Sequence, residues 1–308
     1  MGDIKFFKIN NGTVQELNGQ SIRLEKSLQK LIENHLESFL GIRFLASEYS
    51  TGKRHGGRID TLGIDENNSP VIIEYKRSTN ENVINQGLFY LDWLLDHKAE
   101  FKLLVMQKYP KIDLESIEWS SPRLLCIAGS FNRYDEHAVQ QINRNIELYQ
   151  YKHYDEGFLM LDLVNATTEQ LNSTKDDLLV NSLKPINTRQ GKTVSEYIER
   201  ADDKLIDRYE NLKAFILALG DDIQVKVLKY YIAFKRIKNF VCVEVHPQSN
   251  IILLYLKINP SNINIEPGFT RDVSNIGHYG TGDFEIRISN DEELEKAKTY
   301  IEQSYDLS

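Results

Sequence analysis

The sequence predicts an α/β (α+β) protein, with an N-terminal α/β sandwich around a mixed sheet and a smaller α+β module behind it. Three observations carry this. Residues 22–40, IRLEKSLQKLIENHLESFL, place Leu24, Leu28, Leu31, Ile32, Leu36, Phe39 and Leu40 at the i, i+4, i+7, i+8 spacing of an amphipathic helix. Short apolar runs bounded by polar turn clusters follow and read as strands. A polar, turn-rich stretch after residue 165 then divides the chain.

In order, the first helix leads to strands at 43–49 (RFLASEY), 58–64 (RIDTLGI) and 70–76 (PVIIEYK). The last two are joined by DENNS, a hairpin turn cluster. A second helix starts at STNE, where Ser78 and Glu81 have capping-box spacing, and continues through NVINQGLFYLDWLLDHK. Strands at 101–106 and 123–129, a helix near 135–148 and strands within 149–164 complete a domain spanning 1–165. Residues 166–193 read as a linker and 194–308 as the second domain. That domain is expected to hold a long helix over 194–219, another near 221–232, strands near 238–246, 251–258 and 283–289, and a last helix from Asp291.

The chain has 308 residues, 41% hydrophobic and 27% charged, with a net charge of −8. This balance excludes a protein that coats DNA through an overall basic surface, but allows a local basic groove. No apolar run approaches the ~18–20 residues that cross a bilayer, and the N-terminus lacks the apolar core of a signal peptide. Cys126 and Cys242 lie in strand-like runs and read as buried, reduced thiols, which places the protein in the cytoplasm.

The stretch GGRIDTLGIDENNSPVIIEYKR carries charge where burial is expected. Strand alternation puts Glu74 and Lys76 on one face with Ile72, and hairpin pairing brings Asp60 to them. Two nearby carboxylates repel each other and raise a pKa or require a cation. Magnesium fits, since it takes one or two carboxylates and keeps water and room for a phosphate. Lys76 beside such a site could offset developing charge. On spacing alone, a turn-capping Asp60 beside an exposed Glu–Lys pair stands as the alternative. Just upstream, Lys53, Arg54, His55 and Arg58 form either a phosphate-contacting loop or a solvated hairpin tip. On the second helix Gln86 and Tyr90 share a face at i, i+4.

GRID, PVIIEYKR and QGLFY in this order resemble the PD-(D/E)XK nuclease superfamily, nearest its RecB- and NucS-like branch, over roughly residues 20–130. The resemblance implies a restriction-endonuclease-like fold and hydrolysis of phosphodiester bonds with Mg2+ or Mn2+. By position it makes Asp60 and Glu74 metal ligands and Lys76 the catalytic lysine, while Gln86 and Tyr90 contact nucleic acid or orient the site. It also implies an acid from the first helix. Of Glu25, Glu33 and Glu37, Glu25 falls inside the apolar arc and is preferred. The expected partner is nucleic acid, DNA foremost, with room for a homodimer and no membrane.

In the second half, Lys229, Lys235, Arg236 and Lys238 among aromatics read either as a single-strand contact or as a strand with one solvated face. Glycines 277, 280 and 282 surround His278, Tyr279 and Asp283 in a loop. This half resembles an uncharacterised domain (DUF5655-like) that follows such nuclease domains, sometimes in chains labelled transport proteins. The functional expectation is a metal-dependent DNA endonuclease whose second domain aids recognition. A non-catalytic nucleic-acid binder and a ligand-binding or transport accessory are the alternatives.

Overall fold

The computed structural model describes residues 4–20, 25–52, 56–76, 83–167 and 193–308. It divides into two units, Met1–Leu171 and Asn172–Ser308. Most of the expected linker, and the Ser78–Glu81 capping box, lie outside the described residues. The α+β class holds, with mixed pairing in the first unit and an all-antiparallel sheet in the second.

The first unit opens with a hairpin absent from the sequence expectations, β1 (Phe6–Asn10) and β2 (Thr13–Leu17). Asn11 and Gly12 turn it with φ of 45° and 82°, the left-handed pair that an Asn-Gly turn supplies. Strand β3 (Gly19–Gln20) follows. The expected helix over 22–40 is two helices, α1 (Glu25–Asn34) and α2 (Leu36–Leu40). His35 leaves helical geometry between them, so a shared apolar stripe bends around the core instead of running straight. Strands β4 (Ile42–Ser50), β5 (Arg58–Asp65) and β6 (Pro70–Lys76) form the expected antiparallel run. The β5–β6 turn is tied by Asp65, whose Oδ1 accepts from the amides of Asn67 and Ser69 at 2.9 and 2.8 Å.

Helices α3 (Val83–Asp96) and α4 (Lys98–Lys108) come next. Residues 101–106 are therefore helical, which corrects the expected strand. Phe101, Leu104 and Val105 turn to the core at i, i+3, i+4, whereas Leu103 and Met106 are exposed. Strand β7 (Arg123–Ala128) is fully buried and lies parallel to β6. Helix α5 (Arg133–Gln140) is shorter than the expected 135–148, because Asn145 already begins β8 (Asn145–Tyr154). Its alternation sends Ile146 and Leu148 to the core shared with α3, and Glu147 and Tyr149 to the other face. Strand β9 (Phe158–Thr167) pairs antiparallel with β8. The sheet order is β3-β8-β7-β6-β5-β4, with β6, β7 and β8 parallel at its centre.

One buried ionic group fixes this centre. Arg123 donates to both Glu147 oxygens at 2.7 and 2.8 Å and to Asp65 Oδ2 at 3.0 Å. Parallel neighbours β7 and β8 are thus joined side chain to side chain at the end where the β5–β6 turn sits.

The second unit replaces the expected helix over 194–219 with α6 (Val194–Glu199) and α7 (Asp203–Leu217). Asp202 starts the second of these by accepting from the Leu205 amide at 2.8 Å. The helix expected near 221–232 is a hairpin, β10 (Gln224–Val227) and β11 (Ile232–Lys235), where Val225, Val227, Ile232 and Phe234 alternate as strands require. Strands β12 (Asn239–His246), β13 (Ile251–Leu256), β14 (Thr270–Asp272) and β15 (Phe284–Ile288) and helix α8 (Asp291–Asp306) complete it. The sheet runs β10-β11-β12-β13-β15-β14, and α6, α7 and α8 contribute Val194, Leu212 and Ile301 to its main core. Both cysteines are buried thiols, neither in a disulfide among the described residues. Among the described residues, no helix is long and apolar enough to cross a membrane.

Candidate functional site

The β5–β6 ladder pairs Ile64 with Pro70, then Gly63–Val71, Leu62–Ile72 and Thr61–Ile73, and stops. One step further, side chains replace backbone carbonyls as acceptors. Glu74 Oε1 accepts from the Asp60 amide at 3.1 Å, and Asp60 Oδ2 accepts from the Tyr75 amide at 3.0 Å. The two carboxylates thus finish the ladder crosswise, each holding the other strand's backbone. Among the described residues, Asp60 Oδ1 and Glu74 Oε2 carry no protein hydrogen bond.

Burial makes this pair costly. Glu74 is 1% exposed and Asp60 is half-buried. Desolvation, then the charge of Asp60, pushes the Glu74 carboxyl up to about 9. Asp60 is also raised, chiefly by burial and further by Glu48 and Glu33. A pair of hard oxygen donors, each with an uncommitted oxygen, fits a small divalent cation in chemistry. Among the described residues no three His, Cys, Asp or Glu side chains converge as a metal cage.

Lys76 follows on the same face of β6 and is 4% exposed, which corrects the reading of an exposed Glu–Lys pair. Its ammonium lies 3.4 Å from Asp135 Oδ2 and 5.9 Å from the Phe131 ring centroid. Asp135 sits in the first turn of α5, locked by a capping box with Asn132: Asn132 Oδ1 accepts from the Asp135 amide at 3.0 Å, and Asp135 Oδ2 from the Asn132 amide at 3.1 Å. Sequence reasoning passed over Asp135. The NRYD spacing signalled the cap, but only the fold puts that turn beside β6.

Gln86 and Tyr90 meet as their i, i+4 spacing predicts, with Gln86 Nε2 donating to Tyr90 Oη at 3.3 Å. Tyr90 Oη also accepts from the Arg58 amide at 3.1 Å, so α3 grips β5 two residues before Asp60. Gly57 makes room, since a Cβ there would stand 2.5 Å from Tyr90 Cε1. The Arg58 side chain is outward and paired with Glu48 at 2.6 Å. Lys53, Arg54 and His55 lie outside the described residues.

Glu25 begins α1, but its side chain also lies outside the described residues. One and two turns on, Gln29 and Glu33 reach the hairpin. Gln29 Nε2 donates to Asp60 O at 3.0 Å and to Glu33 Oε1 at 3.0 Å, and Thr61 Oγ1 donates to Glu33 Oε1 at 2.6 Å. Helix periodicity left Glu33 at the edge of the apolar arc, and that edge is where the hairpin end lies. Gln29 and Thr61 had no sequence signal beyond their neighbours.

In the second unit Lys235 is buried, Arg236 pairs with Asp222 at 2.7 Å and lies over the Tyr305 ring, and Lys229 lies over Tyr230. The glycine loop is fastened to the sheet. His278 stacks on Tyr255 and Tyr279 on Tyr230, with centroids 4.2 and 4.5 Å apart.

Residues 194–308 match the family described as Domain of unknown function (DUF5655), the domain that the C-terminal half was expected to resemble. A Haemophilus influenzae protein described as uncharacterized is 30% identical over 308 residues, covering 98% of this chain and 99% of its own length. No solved structure gives a significant match.

Proposed function

The chain belongs to the family of that Haemophilus influenzae protein, which it matches along almost its whole length, and we propose that its N-terminal unit is a metal-dependent nuclease acting on DNA. The observation that carries this is the crossed Asp60–Glu74 pair, buried and beside Lys76 at the end of the β5–β6 ladder. Charge repulsion and burial both disfavour two ionised carboxylates here, so the pair takes up a proton or, when one is present, a cation. The resemblance of GRID, PVIIEYK and QGLFY to PD-(D/E)XK nucleases supports the same reading.

Asp60 and Glu74 would hold Mg2+ or Mn2+ through the oxygens their backbone bonds leave uncommitted. A divalent cation bound there supplies Lewis-acid polarisation and charge neutralisation for phosphodiester hydrolysis. Lys76, fixed by Asp135, offers a localised positive charge for the phosphorane-like negative charge of the transition state. Tyr90 and Gln86 act indirectly, since they set the backbone of Arg58 and with it the approach of β5 to Glu74. Gln29 and Glu33 brace the other side through Asp60 O and Thr61. Proximity and charge placement are thus the protein's contributions.

The test is incubation of the purified chain with plasmid, single-stranded and branched DNA in magnesium or manganese. Wild type is expected to cut at least one of them, and Asp60→Asn and Lys76→Met to cut none while remaining folded. A wild type that cuts none of the three overturns the reading. Binding without cleavage would instead favour a non-catalytic nucleic-acid module.

A further inference from the structure

Resting on that nuclease reading, we infer that the first turn of α5 is a stacking platform, and that the strand entering the site is unpaired nucleic acid. The turn touches the site directly, because Asp135 within it holds the Lys76 ammonium. The preceding residue, Tyr134, points to solvent and is 69% exposed. The Arg133 guanidinium lies 4.8 Å from the Tyr134 ring centroid, and its Nη2 donates to the hydroxyl at 2.8 Å. Arg133 therefore steadies the ring, which stays largely exposed to water.

Tyr134 lies outside the core cluster that β7 and α3 share and stands exposed beside the Lys76–Asp135 pair. The capping box fixes the backbone beneath it, so the ring is presented in one place at little entropic cost. A flat ring backed by a cation suits a nucleobase, with the guanidinium near the phosphate that joins it to its neighbour.

Among the described side chains around the site, Lys76 is paired with Asp135 and Arg58 with Glu48, and stacking on Tyr134 would add to the phosphate contacts of such cations. Bases inside a duplex are stacked on each other and present no face to a protein ring, whereas an unpaired strand does.

The experiment measures anisotropy of a fluorescein-labelled mixed-sequence DNA strand, the RNA strand of the same sequence, and the DNA duplex, on the full chain with Ca2+ in place of Mg2+. Wild type is expected to bind a single strand more tightly than the duplex. Tyr134→Ala should weaken single-strand binding about 5- to 150-fold, Tyr134→Phe should retain most of it, and duplex binding should change less than about twofold. Preference for DNA or for RNA identifies the strand and supports the platform in either case. Equal binding of strand and duplex, or an unchanged Tyr134→Ala, overturns it. Cleavage separates the two readings. A wild type that cuts duplex as fast as single strand, with Tyr134→Ala unaffected, keeps the nuclease and removes the platform. Tyr134-dependent strand binding without any cleavage keeps the platform and removes the nuclease.

Discussion

Replacing Glu74 by Gln is expected to stabilise the metal-free protein at neutral and alkaline pH. In the unfolded chain this carboxyl ionises near 4.5, while in the fold burial and Asp60 push it up to about 9. Between those values the folded protein carries one proton more than the unfolded chain. Stability therefore falls as pH rises through this window, by at most about 1.4 kcal/mol per pH unit, and levels off above it. Taken to pH 7.5, three units above 4.5, the ceiling is roughly 4 kcal/mol, and water entering the half-open site reduces it. Glu74→Gln keeps the size and an acceptor for the Asp60 amide but has no proton to lose, so its profile across the window should be flatter.

The assay is urea unfolding in EDTA at several pH values, followed by tryptophan fluorescence. Both tryptophans, Trp93 and Trp119, lie in the first unit, so the signal is free of the second. Added Mg2+ or Mn2+ should flatten the wild-type slope by binding the ionised pair, and should do little to the variant. If wild type and Glu74→Gln show the same pH slope in EDTA, Glu74 does not hold its proton in the fold and the strained pair is not there.

Three further outcomes are expected. Arg123→Ala should cost the first unit about 3–5 kcal/mol, because Glu147 and Asp65 stay buried without that guanidinium; the same fluorescence-detected unfolding measures it. Gly57→Ala drives a Cβ into the Tyr90 ring and should cost about 1–3 kcal/mol, while a crystal structure of the variant should show Tyr90 displaced from the Arg58 amide. Tyr90→Phe removes the acceptor for Arg58 and Gln86 and should lower the cleavage rate about 10- to 100-fold with a small shift in the urea midpoint; an unchanged rate would show that this grip does not set the site.

The hairpin was legible because strand alternation and a polar turn are local signals, and Glu74, Lys76 and Asp60 follow from them. Gln86 and Tyr90 were legible for the same reason, as an i, i+4 pair. Residues 101–106 misled because an apolar hexamer satisfies both periods, and only burial of Phe101 and Val105 against exposure of Leu103 decides. The region 221–232 misled in the opposite sense, since β-branched and aromatic alternation was read as a helix. Asp135 and Glu33 were invisible as partners because their meeting with Lys76 and Thr61 spans 59 and 28 residues. Such long-range contacts are set by sheet order, which no local pattern encodes.

The crosswise ending of the β5–β6 ladder also makes two amide protons into witnesses. Among the described residues the Asp60 and Tyr75 N–H groups are held by the carboxylates of the pair, so their exchange with solvent is tied to the state of those oxygens. Protonating, neutralising or loading the acids alters how tightly the open end of the hairpin is closed, and fraying of that end alters the acids in return. Occupancy of the site and cohesion of the sheet end are therefore one equilibrium, readable from the backbone without following any reaction.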